Sequence, residues 1–537
     1  MRRAIAIAGA LLALVPASSA SADVPNPAPE VVPALREWSG GSGTFELGGQ
    51  SRIVVESGAL AGEAEMLRDE LETVSGLDVR VVDSAPRAGD VVLAGGSGLG
   101  REGYRLEIGD RVTIAGAEAG VFYGAQTVLQ ILRATPGHRT LPRGQARDWP
   151  RFRERGYLLD VGRKYWSPDF IVQTIREMAY LKLNTLHFHF TDHNAFRLVS
   201  DRFPYLTAPE AYTRADIHRF EEVARRHHVM LIPEVEMPSH ASAILQSHPE
   251  LSFECASMGN GTLDVTKPAA REFSRALIDE FAPLFSGPEF HIATDEYPTQ
   301  EPQEACPELV RYAQDHGFGS TADVFVDYIN EMNRAVRAHG KQMVIWNWWD
   351  VDQQPTIHPD RSIKVEAWTT AAETGDDHSP QKYLDMGYEV VVSPSDTLYV
   401  TPGFPLLPDP RFLYEEWDLF EHPRLSGYQI SVWSDNAIAR PESSFDAYLR
   451  RPREALADRA WGGPRRGTVA DLFARADAIA GPPGVPEFAL PGTLRGAPYG
   501  TSPGYEPAST FAKAFDGDPI TYFLYACLLY TSDAADE

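Results

Sequence analysis

Between Gly156 and Asp458 the chain alternates apolar strand-like runs with amphipathic helical stretches, and this alternation limits the possible architecture more than any other feature. The runs fall at 156–161, 184–190, 229–233, 290–293, 342–346, 363–368, 389–393 and 428–433. Helical spacing is predicted over 169–181, with Ser167 as cap and Pro168 in the first turn. Further helices are predicted over 216–227, 269–285, 322–339, 381–386 and 444–458. Parallel strands joined by helices either close into a barrel or remain an open doubly wound sheet. Eight strands within roughly 300 residues favour the (β/α)₈ barrel.

A chain of 537 residues is too long for one ordinary domain. From Gly43 to about Arg133, strand patterns at 52–56, 78–82, 90–93, 104–108 and 111–114 accompany helices at 61–73 and 120–132. They predict a small α+β domain over 43–148, after a lead-in at 23–42 and before the barrel at 149–480. The Gly95-Gly96-Ser97-Gly98-Leu99-Gly100 run resembles a nucleotide loop but leads into a strand, where a dinucleotide fingerprint must open a helix. A Pro/Gly linker follows at 481–504, and 505–537 reads as an incomplete, truncated C-terminal appendage.

Lys and Arg number 49 against 75 Asp and Glu, a net charge of -26 that repels nucleic acid and anionic membranes. Arg2 and Arg3, the apolar run 4–15 and Ala20-Ser21-Ala22 predict a secretory signal peptide over 1–22, hence an extracellular protein. No later run is long enough to span a bilayer. Of the three cysteines, Cys255 and Cys306 are compatible with a bridge or with separate buried thiols.

In this register the chemistry gathers where strands end. Asp160 and Arg163 follow the first strand, and His187, His189, Asp192 and His193 belong to the second. The third supplies Glu234, Glu236 and His240, and the fourth Asp295 and Glu296. Trp346, Trp348, Trp349, Trp368, Asp396, Tyr399, Trp433 and Asp435 complete the set. Aromatic groups at several strand ends describe a pocket wall suited to a sugar face, although at least one of the 346–349 tryptophans is expected in the core. The His/Glu set also admits a metal reading, but no His-Glu-x-x-His helix is present, and mutual positioning is the simpler role. Two carboxylates adjacent in sequence are awkward for the usual opposed pair of a glycosidase. They make sense if the substrate supplies its own nucleophile, as a 2-acetamido sugar can.

Several blocks resemble family 20 glycoside hydrolases, the β-N-acetylhexosaminidases, across roughly residues 43–460. The family's His-x-Gly-Gly-Asp-Glu resembles His291-Ile292-Ala293-Thr294-Asp295-Glu296, with Ala-Thr in place of the glycines. Leu159-Asp160-Val161-Gly162-Arg163 resembles its Leu-Asp-x-x-Arg, and 182–192, 233–240 and 119–127 resemble further blocks. The resemblance implies that Glu296 is the general acid/base, with a raised pKa, and that Asp295 orients the acetamido group and stabilises an oxazolinium ion. It implies that Tyr399 bonds the acetamido carbonyl and that Arg163 holds ring hydroxyls. Trp346, Trp368 and Trp433 would line the pocket with Asp435 near its rim, and Asp192 and His240 would support the acid. No cofactor or metal is implied, and the partner is an oligosaccharide or glycoconjugate carrying a 2-acetamido sugar.

Departures bear on specificity. Asp192-His193-Asn194-Ala195-Phe196 stands where Asp-Asp-Gln-Gly-Trp is usual, Val400-Thr401 where Leu-Asp often follows the tyrosine, and Asp435 where Glu is common. An enlarged pocket would admit a disaccharide, as in the lacto-N-biosidases that resemble this family. A carbohydrate-binding protein without activity is the remaining alternative, and the retention of Glu296, Asp295 and Tyr399 argues against it.

Overall fold

The computed structural model describes residues 24–369, 378–401, 406–435, 437–438 and 441–486. The expected signal peptide, most of the linker and the 505–537 segment lie outside the described residues.

Eight parallel strands close a barrel: β1 (Glu154–Asp160), β2 (Thr185–His189), β3 (Met230–Glu234), β4 (Glu289–His291), β5 (Gln342–Trp346), β6 (Lys364–Ala367), β7 (Glu389–Val392) and β8 (Leu425–Val432). Closure comes from β7 pairing with β8, with Val392 opposite Tyr428, and from β8 pairing with β1. The doubly wound alternative is thereby excluded. Residues of β1, β2 and β8 are buried throughout, because helices cover one face and packed side chains fill the other.

The helices start where their caps dictate. Ser167 accepts from Phe170 N ahead of Pro168–Tyr180, and Thr213 and Asp216 form a reciprocal capping box at Arg214–Arg226. Between β5 and β6, residues 347–363 form no helix, so the tryptophans after β5 pack directly beside the barrel mouth. The long loops after β3 and β4 are tied by a Cys255–Cys306 disulfide with a Cα–Cα separation of 5.5 Å, which decides between the two cysteine readings. No helix of the described residues is long and apolar enough to cross a membrane.

The preceding domain is a seven-stranded mixed sheet with helices Ala61–Ser75 and Glu118–Ala134. Its antiparallel strands Glu37–Glu46 and Thr140–Asp148 go unannounced in the sequence pattern. Gly40-Gly41-Ser42-Gly43 interrupts the first, and the register shifts between Gly40 and Thr44. The glycine run joins strands Val91–Gly95 and Tyr104–Ile108 and opens no helix. Buried polar contacts fix this domain to the barrel. Lys182 Nζ lies 3.0 Å from Asp148 Oδ2, Trp461 Nε1 donates to Asp148 Oδ1 at 2.9 Å, and Arg155 pairs with Glu102 at 2.8 Å.

Candidate active site

The mouth of β4 carries an unusual backbone. Ala293, Thr294 and Glu296 take φ values of 61°, 78° and 48°, so the chain turns through left-handed conformations immediately beyond the strand. Such angles cost a residue with a side chain about 1–2 kcal/mol, and most for a β-branched one. Surrounding bonds hold the turn: Trp346 N donates to Ala293 O at 2.9 Å and Ala293 N to His291 Nδ1 at 2.9 Å. Ala293 and Thr294 stand at the two positions at which the resembling motif has glycine.

The turn sets Asp295 and Glu296 side by side in different environments. Side-chain exposure is 14% for Asp295 and 54% for Glu296, while His240 Nε2 lies 2.8 Å from Glu296 Oε2 and 3.9 Å from Asp295 Oδ2. Burial pushes the Asp295 carboxyl up to about 6, with the adjacent Glu296 raising it and His240 opposing. Glu296 moves the other way. Its hydrogen bond to His240 draws it below the usual carboxylate range against some burial, which corrects the expectation of a raised acid. The physical reason is the half-exposed position beside a cationic imidazole.

Asp295 has a second acidic neighbour. Glu236 is buried with neither carboxyl oxygen in a hydrogen bond, and Asp295 Oδ1 is also unpartnered. Two ionised carboxylates have no donor between them. Burial first, then the charges of Asp295, Glu234 and Asp192, hold Glu236 well above its ordinary value, which favours its neutral form.

Behind these acids runs a chain of paired groups. His240 Nδ1 lies 3.6 Å from Asp192 Oδ1, and Asp192 Oδ2 lies 2.9 Å from His189 Nε2 and 2.8 Å from Arg163 Nη2. His189 Nδ1 in turn lies 2.6 Å from Glu234 Oε2, and Trp346 Nε1 donates to Glu234 Oε1 at 2.8 Å. Burial opposes charge on His189, but Glu234 and Asp192 outweigh it and raise the imidazole to about 10. Arg163 also reaches Asp160 at 3.0 Å and Asp435 at 3.5 Å, so the groups after β1, β2 and β8 share one guanidinium. Within the His/Glu set considered for a metal, His189 Nδ1 is hydrogen bonded to Glu234 at 2.6 Å, while His187 Nε2 lies 3.1 Å from Glu234 Oε2 without hydrogen-bond geometry.

Aromatic rings form the wall. Trp346, Tyr399 and Trp433 pack as one cluster with Leu158 and Ala293, and Trp368 lies against it. Tyr399 lies 5.6 Å from Trp433 between ring centroids, and stacks on Trp368 at 6.1 Å. Trp433 and Trp368 keep buried indole nitrogens without a partner, which leaves donors for a ligand. Trp349, by contrast, packs in the main core against Tyr383 and Tyr388, the structural role anticipated for one of the three.

The structure therefore brings together Glu296, Asp295, Asp192, His240, Arg163, Asp435, Trp346, Trp368, Tyr399 and Trp433. Sequence reasoning did not assign the link of His189 and Glu234 to Trp346, the acid pair of Glu236, or Trp348, which stacks on Trp368 at 5.6 Å. Period-two alternation in β2, which puts His187 and His189 on one face, was the available signal for the first.

The model of the glycosyl hydrolase family 20 catalytic domain matches residues 152–410, and that of the family's domain 2 matches 28–149. A lacto-N-biosidase from Bifidobacterium bifidum is 28% identical over 493 residues, covering 88% of this chain and 43% of that protein. A β-hexosaminidase from Porphyromonas gingivalis is 27% identical over 497 residues, covering 83% and 62%. The chain thus spans less than two thirds of the length of either relative. The structure of a GH20 β-N-acetylhexosaminidase from Streptomyces coelicolor A3(2) superposes with a TM-score of 0.69 at 25% identity, covering 85% of this chain and 97% of that one. With the catalytic-domain match running from the start of the barrel past β7, and the domain 2 match lying on the sheet before it, the chain belongs to glycosyl hydrolase family 20.

Proposed function

We propose that the protein is a secreted, retaining glycosidase that hydrolyses the bond on the reducing side of a β-linked 2-acetamido sugar, with the sugar's own amide as nucleophile. One observation carries this reading: both candidate carboxylates leave the same strand end and face one imidazole, at 2.8 and 3.9 Å. A two-carboxylate retaining mechanism needs its groups on opposite sides of the anomeric carbon, about 5 Å apart. Adjacent groups suit another division of labour. The acetamido oxygen attacks C1 while Glu296 gives its proton to the departing glycosidic oxygen, and Asp295 holds the amide N–H and faces the positive oxazolinium ion. Water then attacks C1, Glu296 takes its proton, the C1–O bond of the oxazoline opens, and the β configuration returns. Asp295 acts in a largely water-free pocket, where a fixed charge is worth most. In this reading Arg163 and Asp435 hold ring hydroxyls and Tyr399 bonds the amide oxygen.

The simplest substrates are chains ending in N-acetylglucosamine or N-acetylgalactosamine, cleaved one sugar at a time. A second reading, release of galactosyl-β-1,3-N-acetylglucosamine, is favoured by a cavity of about 410 Å³ bordered by Arg163 itself together with Lys164, Tyr165, Asn194, Arg197 and Glu210. It shares Arg163, the residue proposed to hold ring hydroxyls, and this reading seats the sugar attached to the acetamido unit there. The lacto-N-biosidase relative supports the same reading. Hydrolysis of nitrophenyl N-acetylglucosaminide, its galacto epimer and nitrophenyl lacto-N-bioside separates the two. Cleavage of the monosaccharides supports the first reading, cleavage of the last alone supports the second, and cleavage of none returns the chain to a binding role.

A further inference from the structure

Against His240, the imidazole that contacts Glu296, stands an exposed side chain that none of the roles above uses. His193 follows Asp192 in the loop after β2, in the block that departs from the family pattern. Its ring is exposed yet fixed in place. Nδ1 lies 2.7 Å from Ser242 Oγ, and the ring packs at 4.6 Å and 33° on His240, the imidazole that bonds Glu296. Gly261 abuts the same edge of the ring, where an added Cβ would stand 2.7 Å from His193 Cε1 and 3.0 Å from Ser242 Oγ. Three residues of the long loop after β3 therefore hold one exposed imidazole against His240, the partner of the candidate acid.

Its position defines what it meets. Glu296 must sit against the glycosidic oxygen, so the group that departs lies outside the aromatic pocket, on the solvent side of this carboxylate. His240 turns Nε2 to the two carboxylates of the β4 turn and its buried Nδ1 to Asp192 at 3.6 Å, so neither nitrogen faces solvent. With Nδ1 bonded to Ser242, His193 directs Nε2 away from that anchor, and burial and the neighbouring His240 cation favour its neutral form. A neutral imidazole offers a ring face and one donor or acceptor, a combination suited to a sugar hydroxyl.

We propose that His193 is a specificity-determining residue of the subsite for the leaving sugar, hydrogen bonding a hydroxyl of the unit on the reducing side of the cleaved bond. The proposal rests on the glycosidase reading above. It assigns to the Asp192-His193-Asn194 loop a role in choosing what is released from, as distinct from what is released.

The test compares two leaving groups on the donor unit that the nitrophenyl panel identifies: a natural sugar and fluoride, which makes no hydroxyl contact. In His193→Ala, kcat/KM for the sugar leaving group is expected to fall about tenfold, the effect of one hydrogen bond, with the fluoride substrate changed less than about twofold. His193→Gln, which keeps a polar tip, is expected to recover part of the loss, and Gly261→Ala, which displaces the ring, to reproduce it. An equal fall on both substrates would overturn the proposal and reduce His193 to a prop for His240, and so would no change on either. Wild-type protein inactive on both substrates would instead refute the glycosidase reading, so the two failures are distinct. Unchanged circular dichroism and melting temperature establish that each variant is folded.

Discussion

His240 Nε2 lies 2.8 Å from Glu296 Oε2, so the candidate acid and its imidazole neighbour form a direct ion pair at the rim of the pocket. Burial disfavours charge on His240, but Asp192, Glu296 and Asp295 outweigh it and hold the imidazole well above its ordinary value. The same pairing keeps Glu296 low.

Removing the imidazole should make Glu296 a weaker acid. A carboxyl that loses a neighbouring cation has its charged form destabilised and its pKa raised, and a general acid must be protonated to act. In His240→Gln both carboxyls lose a neighbouring cation, so both limbs of the kcat/KM profile are expected to move to higher pH, with the maximum reduced at least about tenfold. A limb that stays in place would show that the imidazole does not set the proton affinity of Glu296.

Asp295 gives a pH dependence of opposite origin. Asp295 must be ionised and Glu296 protonated, and with Asp295 near 6 and Glu296 below the ordinary carboxylate range the product of the two fractions falls above about 6, which predicts a basic limb there. Asp295→Asn should remove the limb and lower kcat by about 10²–10³-fold.

The same shift is a statement about stability. The folded state binds this proton more tightly than the unfolded chain, so stability declines as pH rises from about 4 to 6 and the full cost is present above that range. Asp295→Asn is expected to stabilise the protein by about 1–3 kcal/mol at pH 7 and by little at pH 4, measured by urea unfolding. Equal effects at both values would contradict a buried, raised carboxyl.

Thr294 holds φ at 78° with a branched side chain. Thr294→Gly should relieve about 1 kcal/mol of strain in urea denaturation, the backbone relief exceeding the entropy that glycine adds to the unfolded chain. Loss of stability would mean that side-chain packing of Thr294 outweighs its backbone cost.

Asp192 touches Arg163, His189 and His240, so its removal and that of His240 should not add. A cycle of Asp192→Ala, His240→Ala and the double variant is expected to show coupling of about 1–3 kcal/mol in kcat/KM. Additive losses would argue against a connected chain of groups.

How legible this was from sequence depended on the range of the interaction. The eight barrel strands are local apolar runs, and the turn signals Ser167 and Pro168 mark a helix start within four residues of chain. Carboxylates and tryptophans were visible because barrel strand ends converge on one face. The Glu236–Asp295 contact was not legible, because it depends on how two loops fold over the mouth. Nor was the lowered pKa of Glu296, which follows from an exposure and an imidazole distance that no motif encodes. The strands Glu37–Glu46 and Thr140–Asp148 were hidden because pairing with each other, more than their own pattern, makes them strands.

The central claim is that the substrate's amide oxygen attacks C1. Progressive fluorination of the N-acetyl group withdraws electrons from that oxygen while leaving the leaving group unchanged, so kcat measured on N-acetyl, monofluoro-, difluoro- and trifluoroacetyl nitrophenyl glycosides tests the step itself. The account predicts a steep, continuous fall in log kcat with each fluorine; a flat series, or equal turnover of the glycoside that lacks the amide, would contradict it.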